Sequence, residues 1–194
     1  RNLRQRGLRV AVLRHPMPYG DLVKQRAQRF ETYADLEAAQ ATVEEREEYE
    51  PHLAVGGVVF AGVDYAEILG QAEPAADIIV WDGGNNDFPF LRPDLHIVLA
   101  DALRPGQVDT HHPGETVARM ADVFVVNKVD SAKPDDVALA EQKLRAVNAS
   151  APIVRAASPI ELDDAGGHPI QKRPIMGDDH QTAFERRQQI FQPG

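Results

Sequence analysis

The chain contains no cysteine, and that absence excludes disulfides, thiolate metal sites and a cysteine nucleophile. It is compatible with a cytoplasmic location, which is the expected one. No run of 18 apolar residues occurs, so no membrane-spanning helix is expected. Basic residues are too few for a broad cationic face: Lys and Arg number 21 against 30 Asp and Glu, a net charge of -9. Neither a nucleic acid nor an anionic membrane is therefore an expected partner. No Gly is followed by Lys, so the pattern G-x-x-x-x-G-K-[ST], whose backbone cradles nucleotide phosphates, is missing.

What is present suits a globular α/β domain. The 194 residues are 43% hydrophobic, enough to fill a sizeable core. Strand-like apolar runs alternate with helical patterns, the signature of a mostly parallel sheet. Asn2 to Arg6 reads as the end of a helix capped by Gly7, with a strand from Leu8 to Arg14. A helical region is expected from Leu22 to about Ala39. Thr42 and Glu45 form a capping box for an acidic helix that Pro51 should stop. Its glutamates, 44, 45, 47, 48 and 50, read as a solvated face. Further strands are expected at 57–61, 77–82, 95–100, 122–127 and 153–156, and helices at 64–72, 115–120 and 135–147. In the last of these, Val137, Leu139, Ala140 and Leu144 are available to pack. The runs at 78–81 and 95–100 look like strands buried on both faces.

Two strand ends carry chemistry. ADVFVVNKVD, Ala121 to Asp130, ends in N-K-x-D, the tetrapeptide with which P-loop GTPases read guanine. One carboxylate, Asp130, can accept from both the ring N–H and the exocyclic amine of guanine, while Asn127 and Lys128 hold base and loop. An ordinary strand-to-helix turn is the plain alternative. DIIVWDGGNND, Asp77 to Asp87, places Asp82 at the carboxyl end of a strand, where ligands of open α/β sheets bind. Asp82 there suits Mg²⁺ beside nucleotide phosphates, and Gly83 and Gly84 permit close backbone approach. An Asp-Gly turn would also produce this pattern. The loop RHPMPYGD, stiffened by two prolines, offers Arg14, His15, Tyr19 and Asp21. The segment ADALRPGQVDTHHPGE offers Asp101, Arg104, His112 and Glu115; its adjacent histidines are a weak metal signal.

These motifs, with EEREEYEPH, FAGVDYAEIL, WDGGNNDFPF, RPDLHIVLADALRPG, HPGET and MADVFVVNKVD, resemble the cyclic 2,3-diphosphoglycerate synthetases and their bacterial relatives described as GTPases. The likeness runs from about Gly7 to Asp163. More distantly, the order of strand ends is similar to that of urease and hydrogenase maturation GTPases. The resemblance implies a P-loop NTPase-like three-layer sandwich and a nucleotide-driven ring closure on a small phosphorylated acid. It implies Asp82 and Asp101 as catalytic, Asp82 as the Mg²⁺ ligand, and Asn127, Lys128, Asp130 and Ser158 on the nucleotide. It further implies Arg14, His15, Tyr19, Arg92 and Arg104 on substrate phosphates or carboxylate. Family members are associated with ATP while NKVD points to guanine, so GTP and ATP both stay open. A homodimer is among the open assemblies.

A P-loop fold would place the phosphate loop before the first helix, so the chain is expected to lack its first strand, phosphate loop and most of that helix. On that reading the partial domain covers 1–164 and binds nucleotide poorly or not at all. Residues 165–194 are polar and proline-punctuated, and a poorly ordered or aberrant tail is expected there. The alternative function is a regulatory or metallochaperone-type GTPase that switches partner binding without making a small product.

Overall fold

The computed structural model describes residues 2–14, 20–83 and 88–158, and the backbone of a short strand at 175–176. The chain is α/β with mostly parallel sheets, and it forms two compact units, Arg1–Gly84 and Asn85–Gly194. Each unit holds one four-stranded sheet. Among the described residues no helix is long and apolar enough to cross a membrane.

In the first unit, α1 (Asn2–Gln5) leads into β1 (Val10–Arg14). Gly7 makes the turn between them at φ 84°, a left-handed conformation open to glycine without a Cβ clash. There follow β2 (Gln28–Phe30), α2 (Tyr33–Ala38), α3 (Val43–Leu53), β3 (Val58–Ala61), α4 (Tyr65–Ala72) and β4 (Ile78–Trp81). The sheet order is β2-β3-β1-β4, with β1 parallel to both neighbours and β2 antiparallel to β3. Side chains alternate across a strand. Val12, Val59 and Ala61 accordingly join Phe30, Leu36, Tyr49 and Leu53 in a core beneath α2 and α3. Ala11, Leu13 and Phe60 are buried on the opposite side, where α4 packs on β1 and β3. The unit is thus three layers deep.

Three expectations need correction here. The region 22–39 is not one helix, because Gln28–Phe30 pairs with β3 as an edge strand and tertiary pairing overrides local helical preference. Pro51 does not stop α3, which runs through it to Leu53. Proline costs one backbone hydrogen bond, and in the last turn the helix tolerates that loss. The glutamates are not simply a solvated face either. Glu45 is buried and closes the capping box with Thr42, and Glu48 turns inward to Arg14.

The second unit contains β5 (Ile97–Asp101), α5 (Gly114–Arg119), β6 (Val123–Asn127), α6 (Pro134–Val147), β7 (Ile153–Ala157) and β8 (Ile175–Met176). Strands β5, β6 and β7 run parallel, and β8 pairs antiparallel with β7. Phe124, Val126, Ala100, Val137, Ala140 and Leu144 form the core between this sheet and helices α5 and α6. Leu139, expected to pack, is 40% exposed instead. Strands β4 and β5 are not buried on both faces: Val80 is 37% exposed and Leu99 67%. Both are edge strands within their own sheet, and an edge leaves side chains with fewer neighbours.

Candidate functional site

In the first unit the parallel register sets Leu13 beside Trp81, and the Asp82 N–H donates to the Leu13 carbonyl at 3.2 Å. Arg14 and Asp82 therefore leave adjacent strands at the same end. Arg14 Nη1 lies 2.7 Å from Asp82 Oδ2, and Nη2 lies 2.6 Å from Glu48 Oε2. Its Nε also donates to Glu48 Oε2 at 3.2 Å. Glu48 and His52 sit four residues apart on α3 and so share one helix face. His52 Nε2 is 3.8 Å from Asp82 Oδ2, beyond hydrogen-bond length but close enough to feel its charge. His52, and Arg14 at closer range, hold the Asp82 carboxyl below its ordinary range, against partial burial that pushes it up. Beneath the cluster Tyr49 stacks on Phe30 with ring centroids 5.1 Å apart, and burial pushes its phenol well above the usual value. The Tyr49 hydroxyl is buried with no hydrogen-bond partner among the described residues.

This arrangement changes the role open to Arg14, because three of its five N–H donors are spent on the protein's own carboxylates. Glu48 and His52 were not legible as site residues, because within EEREEYEPH no local feature sets them apart from the neighbouring polar positions. His15, Tyr19 and Gly84 lie outside the described residues. At Gly83 an added Cβ would lie 2.5 Å from the far edge of the Trp81 ring, so a side chain there would have to displace the indole. Asp82 fits Mg²⁺ in one limited sense. Oδ2 is engaged by Arg14, leaving Oδ1 for an ion that takes its remaining oxygens from phosphates and water, the usual pattern for this metal. Among the described residues no group of three or more His, Cys, Asp or Glu side chains converges to hold a metal.

In the second unit the sequence-predicted nucleotide residues come together. Asn127 ends β6, and its Oδ1 accepts from the Lys128 N–H at 2.9 Å and from Ser158 Oγ at 2.9 Å. The Ser158 N–H in turn donates to Asp130 Oδ1 at 3.3 Å. Val129 N–H bonds the Ala156 carbonyl, which ties the same loop to β7. Asp130 is exposed, and its Oδ2 has no hydrogen bond among the described residues. Lys128 adopts φ 63° and places Nζ 2.8 Å from Asp101 Oδ2, Asp101 standing opposite Asn127 in the β5–β6 register. Partial burial pushes the Asp101 carboxyl up, but hydrogen bonds from Lys128 and the Leu103 N–H outweigh it and hold the group below its ordinary range.

The remaining candidates lie apart. Arg104 is exposed; its backbone N–H caps the Asp101 carbonyl and its charge reaches Asp101. Arg92 is exposed in the loop before β5. Glu115 pairs with Arg119 one helical turn along, and His111 bonds the neighbouring Thr110 hydroxyl.

No family model matches the chain. It is 55% identical over 161 residues to a protein of Thermococcus kodakarensis named arginine synthetase ArcE. That stretch is 83% of this chain and 36% of the relative, so the chain spans about a third of the relative's length. Two solved structures are similar in fold. The hydrogenase maturation factor HypB of Archaeoglobus fulgidus matches with a TM-score of 0.45 and 14% identity, over 79% of this chain and 69% of that one. HypB of Helicobacter pylori, solved in complex with nickel, matches with a TM-score of 0.43 and 16% identity, over 80% and 81%.

Proposed function

We propose that the chain is part of a nucleotide-dependent synthetase that reads a guanine base with Asp130 and forms arginine, as the name of its relative indicates. The constellation of Asn127, Ser158 and Asp130 carries the nucleotide half of this reading. Asn127 holds Ser158 through its hydroxyl, the Ser158 amide orients the Asp130 carboxylate, and Asp130 Oδ2 is left to face a ligand. Guanine offers two adjacent donors to such a carboxylate, whereas adenine offers no matching pair. Within the first unit taken by itself, Asp82 is the residue that would hold part of an Mg²⁺ shell, the ion's chemistry being to neutralise charge on phosphate oxygens.

The acceptor half rests on the charge around Arg14. Ring closure on 2,3-diphosphoglycerate, the finer reading of the sequence, asks for free cations facing a polyanion. Arg14 instead sits between Glu48 and Asp82, so the cluster carries two carboxylates to one guanidinium. A surplus of negative charge suits a cationic or neutral nitrogen group better than a pair of phosphates. The arginine-forming version therefore agrees with both the cluster and the relative's name.

Saturation-transfer NMR, which detects weak binding, tests the nucleotide half: guanosine should receive saturation from the chain and adenosine should not. Backbone amide NMR tests the acceptor half. L-arginine should shift resonances around Arg14, Glu48 and Asp82, and 2,3-diphosphoglycerate should leave them in place. The reverse pattern would restore the ring-closing version.

A further inference from the structure

We infer that Asp101 is a positioning residue for base selectivity, acting through Lys128 on the loop that presents Asp130, rather than a group that touches reacting atoms. The inference rests on the guanine reading of Asp130. Lys128 is one of two non-glycine residues described with positive φ, the other being Gln40 in a turn. A left-handed lysine costs on the order of 1 kcal/mol, so its surroundings must hold it there. Four contacts do so. Lys128 N–H donates to Asn127 Oδ1, its carbonyl accepts from Ser131 and Ala132, and its ammonium reaches Asp101.

Among these, only the Asp101 contact comes from a different strand. Asp101 is itself fixed, because Oδ1 accepts from the Leu103 N–H at 3.0 Å while Oδ2 takes Lys128. Both carboxylate oxygens are thus engaged by the protein, which leaves little for proton transfer. The left-handed turn at Lys128 redirects the chain out of β6 so that Asp130 arrives at the Ser158 amide two residues later. Releasing Lys128 frees that turn to relax toward the ordinary right-handed region. The carboxylate of Asp130 would then lose the direction that lets it accept two donors from one base.

This predicts a loss of discrimination rather than a general loss of affinity. Inosine differs from guanosine in lacking the exocyclic amine, so the affinity ratio of the two reports on the second hydrogen bond alone. In the 194-residue chain, competition measured by saturation-transfer NMR should show that ratio falling about threefold to fivefold in Asp101→Asn, the upper part of the range expected for a partly exposed ion pair. Lys128→Met removes the same pair from its other end and should give a similar fall, which keeps the test decisive if either variant folds poorly. An unchanged ratio, or an equal weakening of guanosine and inosine, overturns the inference. A wild-type chain that prefers neither guanosine nor adenosine removes the guanine reading itself, and the inference with it.

Discussion

Arg14 and Glu48 meet across 34 residues of sequence, with Nη2 2.6 Å from Oε2, and this contact fastens α3 to the exit of β1. The Arg14 side chain is only 12% exposed, so its charge depends on partners already in place. Replacing Glu48 with Ala leaves Asp82 as the remaining carboxylate on that guanidinium. A loss of about 2 kcal/mol is expected for an under-paired, largely buried cation. Urea unfolding of Glu48→Ala against wild type measures it, and a change below about 0.5 kcal/mol would show that Glu48 is dispensable.

Asp82 should give the first unit a pH dependence of known sign. Its carboxyl is held low in the folded chain by His52 and Arg14. A depressed acid contributes stability above its unfolded value of about 4, and that contribution is lost as pH falls through the lower folded value. Urea midpoints should therefore decline below about pH 4 in wild type. In Asp82→Asn the decline over the same window should be shallower. A variant that declines as steeply as wild type would assign the acid sensitivity to other carboxylates.

Thr42 accepts from the Glu45 N–H at 3.2 Å, and Glu45 Oε2 accepts from the Thr42 N–H at 2.9 Å. This reciprocal cap starts the helix that carries Glu48 and His52. Thr42→Ala should cost about 1 kcal/mol in the unfolding free energy. A neutral result would mean that packing of Tyr49 and Leu53 alone sets the start of α3.

Gly62 closes β3 where no side chain fits. An added Cβ would run into the Arg26 carbonyl oxygen and the Ile68 methyl. Backbone cannot yield as a flexible side chain can, so Gly62→Ala should destabilise by about 1–3 kcal/mol. Thermal unfolding of this variant beside Gly70→Ala, where the added methyl meets open space, separates the steric effect from general glycine replacement.

The strand ends were legible in the sequence because apolar runs finish in polar residues there, and the register then brings Arg14 to Asp82 and Asp101 to Asn127. Caps were legible for a similar reason: Thr42 with Glu45 is a local pattern with a local cause. The edge strand at Gln28–Phe30 was not, since its reason for being extended is β3, thirty residues away. Glu48 and His52 escaped notice within an acidic run because nothing local distinguishes an inward carboxylate from a solvated one. Only the fold supplies the Arg14 that draws Glu48 in. The exposure of Val80 and Leu99 was likewise hidden, because a run of apolar residues does not say whether its strand lies at the edge of a sheet.

The most direct test exchanges the chemistry of the base-reading carboxylate. An Asp at position 130 accepts from the ring N–H and amine of guanine; Asn there presents a donor instead, which matches the carbonyl that xanthine carries in place of the amine. Saturation-transfer NMR on wild type and Asp130→Asn, each with guanosine and xanthosine, reads the outcome. The account predicts that wild type favours guanosine and the variant favours xanthosine. The same base preference in both proteins would contradict it.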